Sequence, residues 1–302
     1  MNAILTLKPE LAVRRIVHRT RGHGHGPITR LMSPSDLGQL VKPFVFLDIF
    51  DADRQTVEAL AGMPVHPHSG IATVTVPVEG AFHYDDPDSG TSGTLAYGGV
   101  EWSRAGGGMW HGKELSAADT PRIQGFQLWV ALPPELENGK SESRYIEAKD
   151  IRQAGPAHVI VGNHEGVQSP VPAPDGFTYL LVTLKPGERW AYQPPAGHTV
   201  GWLALARGKL DAGVGGTASA GEMVVFEPGE APIVLEAAGK EGAVFVLGSA
   251  VPHPYSLHLG YYSVHTSAQA LEAGESRIAE LGRKLKEAGD RRTASGTIPV
   301  FR

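Results

Sequence analysis

His66-Pro67-His68-Ser69-Gly70-Ile71-Ala72-Thr73-Val74-Thr75-Val76-Pro77-Val78-Glu79-Gly80 is the stretch on which the reading of this chain turns. Its second half, Ile71 to Val78, is rich in β-branched residues and runs into Glu79-Gly80, the pattern of a strand entering a tight turn. Ala81-Phe82-His83-Tyr84 then reads as the returning strand, and Asp85-Asp86-Pro87-Asp88-Ser89-Gly90 as a loop with strong turn chemistry. The first half carries two histidines one residue apart. On an extended strand side chains alternate with a period of two, so His66 and His68 share a face, and one strand supplies two metal ligands. Further ligands must come from elsewhere. Arg104-Ala105-Gly106-Gly107-Gly108-Met109 predicts a sharp bend just ahead of Trp110-His111-Gly112-Lys113-Glu114. The β-type sequence between the two histidine segments is long enough to cross a small barrel and return, which makes His66, His68, His111 and Glu114 a candidate metal site. Imidazole ligands suit zinc, copper, iron or nickel.

At these residues the chain resembles the pirin family of the cupin superfamily. The resemblance rests on His66-Pro67-His68, on the Val74–Gly80 strand ending in Val-Glu-Gly, on Ala105-Gly106-Gly107-Gly108-Met109-Trp110-His111, and on the strand around Gln127-Leu128-Trp129-Val130. It implies an all-β fold of two cupin barrels, each a double-stranded β-helix or jelly roll. It also implies one divalent metal ion, iron first among Fe, Ni, Cu, Zn and Mn, held by the two histidines of His-Pro-His, a third from the glycine-rich segment and a Glu two residues after that third one. Here the position two residues after His111 is Lys113, and the Glu stands one place further on, at Glu114. Single-domain cupins take their Glu from about four residues after the His-x-His pair, a position held here by Ala72. His66, His68 and His111 therefore carry over by position, and Glu114 carries over through a one-residue bulge. On a regular strand Lys113 would share the face of His111, so the chain is expected to leave strand geometry after Gly112 and turn the ammonium away from the cation.

Composition agrees with an all-β chain. At 302 residues two domains are expected, divided as 1–135 and 136–302. The 38 glycines and 23 prolines fit many short strands joined by tight turns. A formal net charge of -5 gives no basic excess, which argues against direct nucleic-acid binding. With no cysteine, a metal site must use histidine and carboxylate. No apolar run approaches the ~20 residues of a membrane span, and Met1–Glu10 lacks a signal-peptide pattern, so a cytoplasmic protein without membrane partners is expected.

Outward from the central stretch, Val13 to His18 predicts a first strand, and His23 and His25 fall between glycines in an expected surface loop. Pro43–Phe50 is near-continuously apolar, a strand covered on both faces. In Gly125–Pro133 the alternation places Phe126, Leu128 and Val130 on one face and Gln127, Trp129 and Ala131 on the other, and either aromatic could line a cavity. Pro133–Ser143 reads as a linker. Four segments, Tyr179–Leu184, Val200–Ala206, Met223–Gly229 and Ala243–Gly248, then repeat the strand-and-turn pattern and predict a second barrel. That barrel lacks the histidine pattern, and His198 is expected at the surface. Gly260–Ser267 resembles a pirin segment loosely. Ser267–Ala288 predicts a closing helix interrupted at Gly274 and Gly282, and Asp290–Arg302 a tail whose Ile298–Phe301 docks as an extended piece.

The resemblance implies a mononuclear metal dioxygenase of the quercetin 2,3-dioxygenase type, acting on flavonol-like or other small oxygenated substrates. The metal would lower the pKa of a substrate hydroxyl, and a nearby carboxylate, Glu114, would take its proton. The alternative is a non-enzymatic, metal-dependent regulatory protein that binds protein partners, as eukaryotic pirins do.

Overall fold

The computed structural model describes residues 13–53, 55–57, 65–86, 90–112 and 114–288. The chain is all-β, two cupin barrels followed by one long helix. In chain order the first strands are β1 (Ile16–Thr20), β2 (His23–His25), β3 (Ile28–Met32), β4 (Phe44–Asp53), β5 (His66–His68) and β6 (Ile71–Glu79). They are followed by β7 (Ala81–Asp86), β8 (Thr91–Ala96), β9 (Val100–Arg104), β10 (Met109–His111), β11 (Leu115–Ala117), β12 (Arg122–Ala131) and β13 (Glu142–Ile146). The main sheet of the first barrel runs β13-β9-β6-β12-β4-β3-β2. Two smaller ladders, β10 with β5 and β11-β7-β8, stand over its inner face.

Register decides what each face carries. Ser143, Ser103, Thr73, Trp129 and Phe46 are successive cross-strand partners, and so are Tyr145, Glu101, Thr75, Gln127 and Asp48. Partners share a face, so these two rows line the inside of the barrel. The residues between them, Trp102, Val74, Leu128 and Leu47, line the opposite face, where they join one continuous core with Phe177, Tyr179, Leu181 and Trp202 of the second barrel. The expected alternation in β12 is observed: Phe126 belongs to this shared core and Trp129 to the barrel interior.

The second sheet is built from Phe177–Leu184, Val200–Asp211, Met223–Phe226 and Ile233–Ala250, with shorter flanking strands. One of its faces joins the shared core, and the other packs Leu180, Val182, Leu203, Leu205, Phe245 and Leu247 into a core of its own. The first barrel thus encloses hydroxyls and carboxylates, where the second encloses mainly aliphatic and aromatic side chains around a small polar group at Tyr192 and Ser249.

Several expectations are revised. β1 pairs with Met223–Phe226 in the second sheet, and β13 pairs with β9 in the first, so strands cross the expected 135/136 division in both directions. His23 and His25 form a short hairpin strand against β3, although they are exposed as expected. Asp85 and Asp86 extend β7 rather than opening the loop, and Asp86 is buried. His198 is not a surface residue. It is buried in the second barrel, where its Nδ1 lies 2.9 Å from Ser249 Oγ, a hydroxyl shared with Tyr192 at 2.6 Å. Lys113 and the tail from Asp290 lie outside the described residues.

The helix α1 (Ala268–Ala288) starts where Ser267 Oγ accepts a hydrogen bond from Ala270 N at 3.1 Å, a side-chain cap on an otherwise unsatisfied amide. It continues through both glycines. A Cβ at Gly274 would stand 2.5 Å from His265 Nε2 and 2.6 Å from Ser69 Oγ, and one at Gly282 would stand 2.9 Å from the Trp110 ring. Both glycines are points of close approach to the metal-site strands. At the second, Trp110 Nε1 donates to Ile278 O at 2.7 Å.

Candidate metal centre

The histidine site is a two-stranded antiparallel ladder. β10 pairs with β5 so that His111 stands opposite His66, Trp110 opposite Pro67 and Met109 opposite His68. The period of two puts all three imidazoles on one face, toward the barrel interior, and Pro67 and Trp110 on the other, toward α1. Ring centroids are separated by 4.9 Å for His66 and His68, 4.8 Å for His66 and His111, and 5.1 Å for His68 and His111. One ligand-capable nitrogen from each falls within 4.8 Å of the others.

The residues fit a metal. His68 Nε2 and His111 Nε2 are buried without a hydrogen-bond partner, the state expected of ring nitrogens whose lone pairs are reserved for an ion. His68 Nδ1 lies 3.2 Å from Tyr262 O, and a carbonyl can only accept, so Nδ1 carries the proton and Nε2 the lone pair. Burial, followed by the neighbouring histidines, holds the His68 pKa well below the usual imidazole range, and burial with His66 lowers His111 to about 3. Both rings are neutral at neutral pH, as metal ligands must be.

Glu114 is drawn inward but does not join the three imidazoles. Gly112, with φ +131°, turns the chain out of strand geometry, and the Glu114 carboxylate folds back so that Oε2 accepts from Gly112 N at 2.7 Å. Oε1 is buried without a partner. Among the described residues the metal-capable cluster comprises His66, His68 and His111, and Glu114 stands outside it. Burial chiefly, and then the negative charges of Glu101 and Asp86, raise the Glu114 pKa to about 7. A carboxylate poised there exchanges protons at neutral pH.

Around this centre the inner rows add groups that sequence reasoning passed over. Glu101 is buried, with its pKa raised by burial and held back by Thr75 and Tyr145, and Tyr145 OH donates to its Oε1 at 3.3 Å. Thr73 Oγ1 and Trp129 Nε1 are buried without partners. The signal was a polar residue at every second position of an apolar strand, Thr73 and Thr75 in β6 and Glu101 and Ser103 in β9. The Trp129 ring lies 5.0 Å from His68 and stacks on Phe46 at 4.0 Å, and Tyr262 covers His66 and His68 at 6.0 Å from each. Beyond Trp129 and Tyr262 a groove of about 370 Å³ opens, lined also by Arg30, Phe46, Leu259 and Tyr261.

Fold and site together define a two-barrel cupin whose first barrel carries a cluster of three histidines able to hold a metal ion. A family model described as Pirin matches residues 27–130. Pirin-like protein 2 of Arabidopsis thaliana is 30% identical over 230 residues, which cover 72% of this chain and 67% of that protein. The chain belongs to the pirin family. Among solved structures, a quercetin 2,3-dioxygenase from Acinetobacter baumannii superposes with a TM-score of 0.75 at 21% identity, over 90% of this chain and 98% of that one. The bacterial pirin YhhW from Escherichia coli, in complex with nickel(II), superposes with a TM-score of 0.57 at 17% identity, over 80% and 98% of the two chains. At these identities both show the fold. No described helix is long and apolar enough to cross a membrane.

Proposed function

We propose that this protein is a mononuclear metal dioxygenase of the quercetin 2,3-dioxygenase type, with His66, His68 and His111 as the ligands of one divalent ion, iron first. The observation that carries the reading is a pair of orphaned, buried Nε2 atoms on a three-histidine ladder facing a barrel lined with hydroxyl, carboxylate and aromatic groups. The bound metal supplies Lewis acidity toward a substrate hydroxyl. Glu114 is the proton acceptor: its Oε1 is free of partners and its pKa of about 7 matches the task. Trp129 and Tyr262 flank a planar substrate entering from the groove, with dioxygen as co-substrate. The groove beside Trp129 and Tyr262 and the polar interior favour small, flat, hydroxylated molecules over macromolecules.

The test is elemental analysis of purified protein, followed by oxygen uptake with a flavonol after loading with iron, nickel, copper, zinc or manganese in turn. One equivalent of metal is expected, abolished by His68→Ala, together with flavonol-dependent oxygen consumption. Metal-loaded protein inert toward every flavonol tried would favour the second reading, a metal-dependent regulatory protein that binds partners. Exposed Leu259, Tyr261 and Tyr262 beside the site support that reading.

A further inference from the structure

The strand that carries His68 is held by a chain of groups that comes from the far side of the sequence. Ser69, next to His68, is buried, and so are Ser263, His265 and Glu137. Their protons can be assigned from one end. Ser263 Oγ donates to Tyr261 O at 3.0 Å, because a carbonyl only accepts. Ser263 has then spent its one hydrogen, so in its 2.9 Å contact with Ser69 it is the acceptor. Ser69 in turn must accept from His265 Nε2, 3.0 Å away. His265 Nδ1 faces Glu137 Oε2 at 3.3 Å, within ion-pair range though not aligned for a hydrogen bond. Glu137 thus backs the face of the chain behind the His265 ring. Glu137 is fixed by two further bonds of 2.6 Å, accepting from Thr266 N and Thr266 Oγ1.

The hydrogen bonds of this chain run in one direction, from His265 through Ser69 and Ser263 to the backbone of Tyr261, with Glu137 beside the His265 ring. The next residue, Tyr262, has φ +56°, in the left-handed region that costs a tyrosine about 1 kcal/mol or more. That conformation places its carbonyl 3.2 Å from His68 Nδ1. A parallel bridge between Ser69 and Ser263 adds backbone support to the same junction.

We propose that the segment Gly260–Thr266 is an integral part of the metal centre: the Glu137–His265–Ser69–Ser263 chain locks it onto β5, and the Tyr262 carbonyl then fixes His68 with Nε2 toward the ion. This rests on the metal reading above and goes beyond it, naming four positioning residues outside the ligand set. Because the His68 bond and the ion use opposite nitrogens of one ring, metal binding and docking of the segment stabilise each other.

Cobalt(II), whose ligand-field absorption reports coordination geometry, is the probe. Ser263→Ala removes one hydroxyl and nothing larger; His265→Ala breaks the chain at its centre. Both are expected to weaken cobalt binding by about 10- to 100-fold and to change the visible spectrum. Ser263→Thr, which keeps the hydroxyl, should restore both, and His198→Ala, which removes a buried hydrogen-bonded histidine from the second barrel, should alter neither. In the unmutated protein, cobalt should slow amide hydrogen exchange across residues 260–266, a measurement that needs no variant to fold. Wild-type affinity and spectrum in Ser263→Ala, or exchange in 260–266 indifferent to cobalt, would overturn the proposal. A wild-type protein that binds no cobalt and no other divalent ion would instead overturn the metal reading itself, and this inference with it.

Discussion

At Glu114 a single insertion changes what a carboxylate can do. The three histidines were legible because strand alternation and a glycine-rich bend fix their faces locally. Glu114's place was legible only as a need to leave strand geometry after Gly112, which the structure meets with φ +131° there and a bond from Gly112 N back to the carboxylate. What could not be read was the company it keeps. Asp86, Glu101 and Tyr145 come from three other strands, and alternation shows which residues share a face without showing which face encloses a cavity. The consequence can be measured. In the metal-free protein Glu114 holds its proton up to about pH 7, while the ordinary value is 4.5, so the native state binds more protons than the unfolded chain between those limits. Stability contributed by this group is complete below 4.5 and is lost as pH rises through 7, by about 3 kcal/mol at most. Thermal melts of metal-free Glu114→Gln should therefore lack the decline between pH 5 and 8 that the wild type shows, and parallel profiles would contradict the assignment. In the proposed reaction Glu114 works deprotonated, so the rate should rise with pH as its carboxylate ionises, at or below about pH 7 because a bound cation favours the ionised form, and Glu114→Gln should lose that limb.

Among the elements, α1 departs most from what its sequence suggested. Gly274 and Gly282 read as interruptions of the apolar face, because helix propensity treats glycine as a cost of about 1 kcal/mol against alanine. In the fold they are where the helix touches the metal-site strands, through Ser69 and His265 at one and Trp110 at the other. Propensity sees only the chain's own neighbours, and these partners lie far away in sequence. Gly274→Ala poses the conflict directly. Local propensity predicts a gain of about 1 kcal/mol, whereas a Cβ within 2.6 Å of buried Ser69 Oγ forces a repacking that costs about 1–3 kcal/mol. We expect the second effect to win and the melting temperature to fall; a rise would mean that the contact relaxes without cost.

For the molecule as a whole, the two-barrel plan was read from its strand-and-turn rhythm and from the family resemblance, but the way the halves are joined was not. Rhythm locates strands and says nothing about which sheet receives them, so the exchange of β1 and β13 was invisible. The barrels also share one core. Trp202 of the second packs edge-on against Phe44 of the first at 5.3 Å, and Phe44 meets Phe177 at 5.8 Å. The protein should then unfold in one calorimetric transition. Trp202→Ala should lower that single transition by about 3–5 kcal/mol of stability and release metal from the first barrel at the same temperature. Two resolved transitions, with metal retained through the first, would show the halves to be independent.

The crossing of β1 also sets a timetable for synthesis. Its partners run from Met223 to Phe226, so Ile16–Thr20 leaves the ribosome some 200 residues before the strand it must pair with. At elongation rates of roughly 5–20 residues per second that interval is on the order of 10–40 s. For its duration the segment is a nascent edge with no template, while the first barrel's strands are already free to close beside it. It is the stretch a ribosome-bound chaperone would have to shield, and the place where an affinity tag fused upstream would bear on the second barrel rather than on the first.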